Sequence, residues 1–517
     1  MREHKNYPSP LTHALYQSLE LLSELLLYGA IIFGPWAFGT VEPWSIRVLN
    51  ALGYTLGTLL IMKVALRAYQ PALGRVTSGR QSLPSWHTRI QVGLTVIVLL
   101  FVVIHAWNAR ATFDSQTQTF SYIHTYIDWL PHSYDRERTL QLLYQGLALA
   151  CFYWAGRDWL MTSPPSRSRT TLTPRLKRLL VVLTLSGAAL GIAAILQRMD
   201  GTNKLLWLVE PRIIKYAPWQ FGSFAYRGNA AAYFNLVWPL ALLLFLALKS
   251  ESNKKTRPSK TGSGAHIALA PLVAITAICP MITSSRAGAA VFVVQGIAIG
   301  IYFLRNQVFG RRQVFAFLFV LGLVGSLTIS LGGGRSIERI RETIAAGTKQ
   351  KGETRLDIFQ HFPAMLRSCP WGGYGPGSFS SVYILVRKTK INPHPSIPLS
   401  KQQNDSLVLW SAWAHSDPVE TLLTFGPIGT AFLLAFLASV MISKGRERHF
   451  ELRTRRFLLL VSLFGMLLHS VIDFPFQIYS LVHLFTLILA ILSSNEGKIP
   501  SLKRLSVPMG SNGESTN

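Results

Sequence analysis

Residues 414–442 read AHSDPVETLLTFGPIGTAFLLAFLASVMI. The stretch begins with a histidine, a serine and two acids, and it continues as an apolar run long enough to cross a bilayer. A long polar connection therefore enters a membrane helix here. His415 lies at the point of entry, and a histidine exchanges protons near neutral pH because its ordinary pKa is about 6.5. With Asp417 and Glu420 beside it, His415 predicts chemistry at the membrane surface.

The composition is that of a membrane protein. Of the 517 residues, 49% are hydrophobic and 15% are charged, whereas soluble proteins carry about 25% charged residues. Apolar runs of about 17 to 25 residues match the ~30 Å hydrocarbon core. We predict an all-α polytopic membrane protein with about twelve transmembrane helices and one long periplasmic loop that carries short helices. The predicted spans are 21–40 (interrupted by Gly34-Pro35), 46–66, 90–107, 139–160, 179–197, 230–248, 266–284, 287–304, 314–331, 418–442, 457–473 and 477–493.

The positions of the basic residues predict the orientation of the chain. Lys and Arg concentrate in the alternate connections 67–89, 157–178, 249–265, 305–312 and 444–456. The positive-inside rule places these connections and the N-terminus in the cytoplasm. Nucleic-acid binding is the other explanation of the net charge of +27, but the basic residues fall at helix ends rather than on one face or arm. The three cysteines are scattered, which predicts neither a disulfide framework nor a metal site.

Four regions follow from this pattern. Residues 1–198 form the N-terminal transmembrane helices, 199–443 a core that includes the periplasmic loop 332–416, 444–493 a C-terminal helix pair, and 494–517 a cytoplasmic tail. The loop is too long for an idle connection. Short helices are predicted at 337–346 and 354–368, followed by a glycine-rich turn. The excess of basic residues in the loop 332–416 indicates an anionic ligand. Long loops also cross the membrane regardless of their charge, which is the alternative explanation.

Three arginines are predicted on the same face as His415. Arg286 lies between two apolar runs with almost no linker, where a charge is costly and usually faces a cavity or a partner. A snorkelling arginine at a helix end is the alternative. Arg227 precedes the span 230–248, and Arg355 lies in the long loop. Arginine forms bidentate bonds to phosphate oxygens and keeps its charge, so the group predicts a phosphate-bearing ligand.

The sequence offers little for a metal ion, and we predict neither a metal nor a cofactor. Asp135 and Glu137 match the D-x-E pattern of metal-dependent glycosyltransferases, but Ser133 and the two acids directly precede a span and are predicted to cap it. Asp473 ends a span and is predicted to be structural and paired locally. His469 and His483 lie in apolar segments and are predicted to be core histidines with satisfied hydrogen bonds.

Stretches 224–239, 282–290, 355–379 and 414–429 together resemble the shared domain of the O-antigen ligase and polymerase superfamily. The last contains His-Ser-x9-Gly-x-x-Gly, and all four occur in the expected order with the long loop in place. The resemblance implies that His415, Arg286 and Arg227 are catalytic. The ligase pattern Arg-x3-Leu is met here only as Arg227-x3-Ala231. The residues expected to bind substrate are Arg355, Asp417, Glu420 and Tyr374.

The resemblance implies a metal-independent transfer of a glycan from an undecaprenyl-pyrophosphate carrier to a hydroxyl acceptor such as lipid A-core. His415 would act as the general base or orient the acceptor hydroxyl at the periplasmic face of the bacterial inner membrane, and the arginines would hold the pyrophosphate. A polymerase of the same superfamily differs only in its acceptor. A transporter of lipid-linked glycan is less favoured, because it gains little from His415 and no inverted repeat is apparent. A cell-wall polymerase would be expected to show a catalytic carboxylate.

Overall fold

The protein is a bundle of long helices with a small loop region at one end. The computed structural model describes residues 9–71, 73, 86–117, 119–162, 172–211, 219–254, 265–308, 310, 358–391, 413–442 and 450–494. The helices are α1 (Pro10–Trp36), α2 (Pro43–Tyr69), α3 (Trp86–Trp107), α4 (Arg136–Met161), α5 (Pro174–Asp200), α6 (Arg227–Lys254), α7 (Ala265–Ile282), α8 (Arg286–Asn306), α9 (Phe362–Arg367), α10 (Phe379–Ile391), α11 (Asp417–Met441), α12 (Phe450–Ser470) and α13 (Tyr479–Ser493). An antiparallel hairpin of β1 (Ala111–Asp114) and β2 (Thr119–Tyr122) follows α3.

The predicted membrane-spanning segments coincide with helices wherever the structure describes them. Eight helices of the described residues are long and apolar enough to cross a membrane, namely α1, α2, α3, α5, α6, α7, α8 and α11. The chain is therefore an integral membrane protein. Helix α13 is only 15 residues long, and α4 and α12 fall outside these eight. The prediction of about twelve spans therefore stays a prediction, and the predicted span 314–331 lies outside the described residues.

Helix α6 forms the centre of the bundle, and buried amides attach it to α8 and α12. Trp238 Nε1 donates to Gln295 Oε1 at 2.9 Å, and Gln295 Nε2 donates to the carbonyls of Asn235 (3.1 Å) and Val461 (3.0 Å). Ser462 Oγ adds a bond of 2.6 Å to the carbonyl of Leu236. Polar groups away from water must be satisfied within the protein. These bonds therefore fix the axial positions of three helices whose ends carry the candidate site.

At the opposite end of the bundle, an ionic cluster joins α1, α2, α4 and α5. Lys63 Nζ is fully buried and lies 3.4 Å from Glu20 Oε1 and 3.2 Å from Asp158 Oδ2. Arg175 Nη1 reaches Glu20 Oε2 at 2.6 Å. Removing one partner of such a buried pair leaves an uncompensated charge, which is strongly destabilising. The cluster therefore holds the N-terminal helices in register.

Helix α11 is broken at Gly426, and the glycine-rich turn of the long loop fills the break. Pro427 has no amide hydrogen, so the Leu423 carbonyl loses its intrahelical donor. The amide of Tyr374 donates to that carbonyl at 2.9 Å instead, and the amide of Gly375 donates to the Thr424 carbonyl at 3.0 Å. Backbone groups freed inside an apolar region are thus satisfied by the loop.

Gly426 has φ +63° and ψ 179°, a conformation that essentially only glycine adopts. Of the predicted loop helices, 337–346 lies outside the described residues, and 354–368 corresponds in part to the shorter α9. The part of the loop that the structure describes packs on α11 through a second apolar cluster, which consists of Ile358, Phe362, Met365, Tyr374, Phe379, Val382, Tyr383, Ala414 and Leu423.

Candidate functional site

His415 stands at the start of α11 and faces Asp473. Its backbone is left-handed, with φ +54°, which turns the chain sharply before α11 begins at Asp417. Nδ1 lies 3.6 Å from Asp473 Oδ1, and the imidazole edge packs on the Phe474 ring with centroids 4.9 Å apart. This approach is longer than a hydrogen bond, and Nδ1 has no hydrogen-bond partner among the described residues. The contact therefore places Nδ1 beside the carboxylate without fixing it there.

Asp473 is buried and is surrounded by groups from α12, from the residue that follows Asp473 and from the segment that precedes α6. Tyr226 donates its hydroxyl to Oδ2 at 3.2 Å, and the Phe474 amide donates to Oδ1 at 3.2 Å. His469 Nε2 lies 3.7 Å from Oδ2. The hydrogen bonds from Tyr226 and Phe474 therefore hold the carboxylate in one orientation.

This pairing was not predicted. Asp473 was predicted to be structural and paired locally, and it does contact the Phe474 amide and His469. It also faces His415 from a different part of the chain, which was not predicted. His469 was predicted to have satisfied hydrogen bonds, and that prediction was wrong because neither of its ring nitrogens has a hydrogen-bond partner. The buried His483 bonds the Tyr479 carbonyl through Nδ1 at 3.0 Å, but its Nε2 has no partner. An acid directly before Phe-Pro at the end of a span was the only sequence signal for Asp473.

Asp417 and Glu420 brace the backbone on both sides of His415. Asp417 Oδ2 accepts from the Phe476 amide at 2.9 Å and Oδ1 accepts from Gln477 Nε2 at 3.3 Å. Glu420 Oε2 accepts from the Ala414 amide at 2.9 Å. Both acids are buried. The geometry therefore favours a positioning role for both over the substrate contact predicted from the sequence.

Arg227 and Arg286 are the first residues of α6 and α8. The Arg227 guanidinium lies 4.8 Å from the centroid of the Trp219 ring, a cation–π contact that orients it. Arg286 is exposed, and Ser285 caps its helix by accepting from the Gly288 amide at 3.2 Å. The backbones of both arginines are therefore fixed at the first turn of a helix.

The starts of α6 and α8 lie against each other and against Asp473. Gly288 has no room for a side chain, because a Cβ there would collide with the Cβ of Ala231. Asn235 Nδ2 donates to the Gly288 carbonyl at 2.9 Å. A Cβ on Gly228 would lie 2.6 Å from Asp473 Oδ2. The structure thus brings the helix ends that carry Arg227 and Arg286 close to the carboxylate that faces His415.

Tyr374 lies on the loop side of α11. It is buried, and its hydroxyl donates to the Met365 carbonyl at 2.7 Å and contacts the Ser368 hydroxyl at 2.8 Å. Burial raises the pKa of Tyr374 above its ordinary range. Its contacts stabilise the loop, and they do not show a substrate contact. Arg355 lies outside the described residues.

The described residues contain no cluster of His, Cys, Asp and Glu that could hold a metal ion. Asp135 is the N-cap of α4, as the capping prediction requires: it accepts from the Arg138 amide at 3.2 Å. The capping side chain is Asp135 and not Ser133, whose hydroxyl accepts from the Asp135 amide at 3.0 Å. Ser381 Oγ also donates to Asp135, at 3.1 Å. Burial raises the pKa of Asp135 above its ordinary range.

Comparison with known proteins places a recognised domain over part of this region. Residues 271–434 match the family model described as O-antigen ligase. The match contains Arg286, the described part of the long loop, His415 and the part of α11 that includes the break at Gly426. No curated protein matches the chain significantly in sequence. The predicted resemblance to the O-antigen ligase and polymerase superfamily is therefore confirmed.

Proposed function

We propose that this membrane protein, which carries an O-antigen ligase domain over residues 271–434, is a glycosyltransferase of the O-antigen ligase type. The family match supports ligase-type or polymerase-type activity in general, and hence a lipid-linked glycan and a glycan acceptor as substrates. The donor is an undecaprenyl-pyrophosphate-linked glycan, and the acceptor is a hydroxyl of lipid A-core or another surface glycan. The reaction takes place at the periplasmic face of the bacterial inner membrane.

The His415–Asp473 pair carries most of this proposal. Asp473 faces Nδ1 of the imidazole at 3.6 Å, and in the proposed mechanism the two groups close to a hydrogen bond when substrate is bound. Nε2 then takes the proton from the acceptor hydroxyl as that oxygen attacks the anomeric carbon of the donor. The bond from the anomeric carbon to the pyrophosphate oxygen breaks, and its electron pair leaves with the undecaprenyl pyrophosphate. The proton then passes from His415 to the pyrophosphate or to water, which restores the base.

Arg227 and Arg286 compensate the charge of the leaving group. Each is the first residue of its helix, and the amides of a helix N-terminus add favourable partial charge for an anion. Two guanidinium groups supply the fixed positive charge that a pyrophosphate leaving group needs. The transfer is therefore proposed to need no metal. Arg355 remains a proposed substrate ligand in the loop, whereas Asp417, Glu420 and Tyr374 are proposed to support the site.

The test is glycan transfer by the purified protein in lipid nanodiscs, with lipid-linked glycan and lipid A-core supplied. We expect His415→Ala to abolish transfer and Asp473→Asn to lower kcat by about 10²- to 10⁴-fold, the range for general-base catalysis. His124→Ala and Asp114→Asn are matched controls, because both residues are exposed in the described structure. Near-normal transfer by a well-folded His415→Ala protein would contradict the general-base role. Loss of transfer in excess EDTA, with recovery on adding a divalent metal, would contradict the metal-independent mechanism.

Ligase and polymerase activity are separated by the product in a strain that lacks the gene. Complete glycan chains left on the lipid carrier indicate a ligase, and single repeats on the final acceptor indicate a polymerase. We expect the first result. The second would keep the site and the chemistry but replace the acceptor by another lipid-linked glycan.

A further inference from the structure

Arg198 is a cation at the end of α5 that the proposed mechanism does not use. Its Nη1 donates to the Gln220 carbonyl at 3.2 Å, and its Nη2 donates to Ser284 Oγ at 3.0 Å. Gln220 belongs to the loop that enters α6, and Ser284 belongs to the turn that enters α8. One planar guanidinium therefore joins the two segments that lead to Arg227 and Arg286.

Each of these bonds lies next to a residue of the site. Gln220 follows Trp219, whose ring holds the Arg227 guanidinium. Ser284 precedes Ser285, the cap of α8, and its own φ of +58° is left-handed. A left-handed conformation at a residue other than glycine is energetically costly and needs surrounding contacts to hold it. The bond from Arg198 is such a contact.

We propose that Arg198 is a positioning residue that fixes the spacing of Arg227 and Arg286, and so sets the affinity of the site for a lipid pyrophosphate. This inference rests on the proposed function, because it assumes that both arginines bind the pyrophosphate. A guanidinium presents its donors in a rigid fork. Two acceptors from different segments are therefore held at a fixed separation, which a lysine at this position cannot reproduce.

The first measurement is the affinity for undecaprenyl pyrophosphate without glycan, titrated into the full-length protein in nanodiscs. We expect Arg198→Gln to weaken binding about tenfold, within the coupling range of residues that share a network. Arg198→Lys should bind nearly as weakly, because one ammonium cannot reach both acceptors. Ser284→Ala, which removes one of the two bonds, should show a smaller loss.

The double variant separates positioning from general damage to the fold. If Arg198 acts through Arg286, Arg198→Gln should cost almost nothing in an Arg286→Ala background. Losses that multiply would contradict the proposal, since independent effects add in free energy. Arg178→Gln is the matched control, because Arg178 lies on the same helix α5 and also makes two hydrogen bonds, to Glu24 at 2.7 and 2.8 Å. Its binding should equal that of the wild type.

A second measurement does not depend on the proposed function. Spin labels at Ala225→Cys and Ala287→Cys, in a chain whose three native cysteines are replaced, report the distance between the two segments. Arg198→Gln should broaden that distance distribution and Arg178→Gln should not. An unchanged distribution overturns the inference whatever the binding shows. A broadened distribution in a protein that binds no lipid pyrophosphate confirms the positioning and contradicts the proposed function instead.

Discussion

His415 works from a backbone conformation that few residues adopt. Histidine is enriched among the residues with positive φ, and the turn at φ +54° lets the imidazole leave the helix axis and meet Asp473. The bonds of Glu420 to the Ala414 amide and of Asp417 to the Phe476 amide hold this turn. The acids of the His-Ser-Asp-Pro-x-Glu segment thus support the histidine beside them.

Arg286 should require its planar side chain. If it binds the pyrophosphate through two bonds, we expect Arg286→Lys to lose transfer nearly as completely as Arg286→Ala, since lysine keeps the charge without the fork. The measurement is kcat/KM for the lipid-linked donor. The matched control is Arg305→Lys, at the other end of the same helix, which should leave kcat/KM unchanged. Normal activity in Arg286→Lys would instead identify Arg286 as a snorkelling residue.

Cys369 should react slowly with maleimides. Burial raises its pKa to about 11, and only the thiolate reacts with maleimides. At pH 8 we therefore expect alkylation about 200-fold slower than for an ordinary thiol of pKa about 8.5, with about a tenfold increase per pH unit as the pH approaches 11. Mass spectrometry of the folded protein gives the rate, and the same protein in SDS gives the reference. Equal rates in both would show that Cys369 is open to solvent.

At the scale of elements, the Gly-x-x-Gly pattern of α11 acquires a physical meaning. Gly426 supplies the backbone conformation of the break, and the carbonyls released at Leu423 and Thr424 receive the glycine-rich turn of the loop. The two glycine-containing stretches lie about fifty residues apart in the chain, and these backbone hydrogen bonds connect them. The loop is thereby attached to the helix whose first turn follows His415.

Gly426→Ala should destabilise this connection. An alanine there adopts a conformation that costs about 1–3 kcal/mol, and its Cβ would also collide with the Trp371 carbonyl. We expect a clear fall in the midpoint of heat-induced aggregation together with loss of transfer. Gly93→Ala in α3 is the matched control, since a Cβ there meets nothing within 4 Å, and it should raise the midpoint or leave it unchanged. If Gly426→Ala and the wild type had equal midpoints, the break in α11 would not contribute to the attachment of the loop.

The elements differ in how well the sequence predicts them. Spans such as 179–197 and 287–304 are predictable because their apolar runs match the bilayer, and the structure has helices there. The break in α11 is not predictable from the sequence, because the amides that donate to its free carbonyls belong to a turn that is distant in the chain. Among the site residues, His415, Arg227 and Arg286 are marked by charge at helix ends. Asp473 is marked only by its position before Phe-Pro at the end of a span, which does not indicate His415, because that contact depends on the packing of α12 beside α11.

At the scale of the whole molecule, the site elements and the hairpin β1–β2 lie at the same end of the bundle. The Tyr134 amide, after the hairpin, donates to the Tyr374 carbonyl at 2.9 Å, and Tyr374 bonds α11 in turn. The start of α1 lies at the opposite end, because Ser480 of α13 bonds Gly39 beyond the other terminus of α1. The predicted orientation of the chain therefore decides on which side of the membrane the reaction occurs.

Cysteine labelling tests that orientation. In a chain without its native cysteines, Gln116→Cys at the exposed hairpin should react with an impermeant maleimide added to intact spheroplasts. Ala14→Cys, exposed near the start of α1, should react only after lysis. The reverse pattern would place His415 and both arginines in the cytoplasm. It would also remove the periplasmic acceptor from the proposed function.

The amide contacts between α6, α8 and α12 have a consequence for biosynthesis. Ser462 closes its bond to the Leu236 carbonyl across 226 residues of chain. At the usual pace of about 5–20 residues per second, the ribosome needs roughly 10 to 45 s to make that stretch. During that interval α6 and Gln295 of α8 are in the insertion machinery or the lipid and lack their hydrogen bonds to α12. Chains that end before α12 should therefore be preferred substrates of membrane quality control, even though every earlier helix is present.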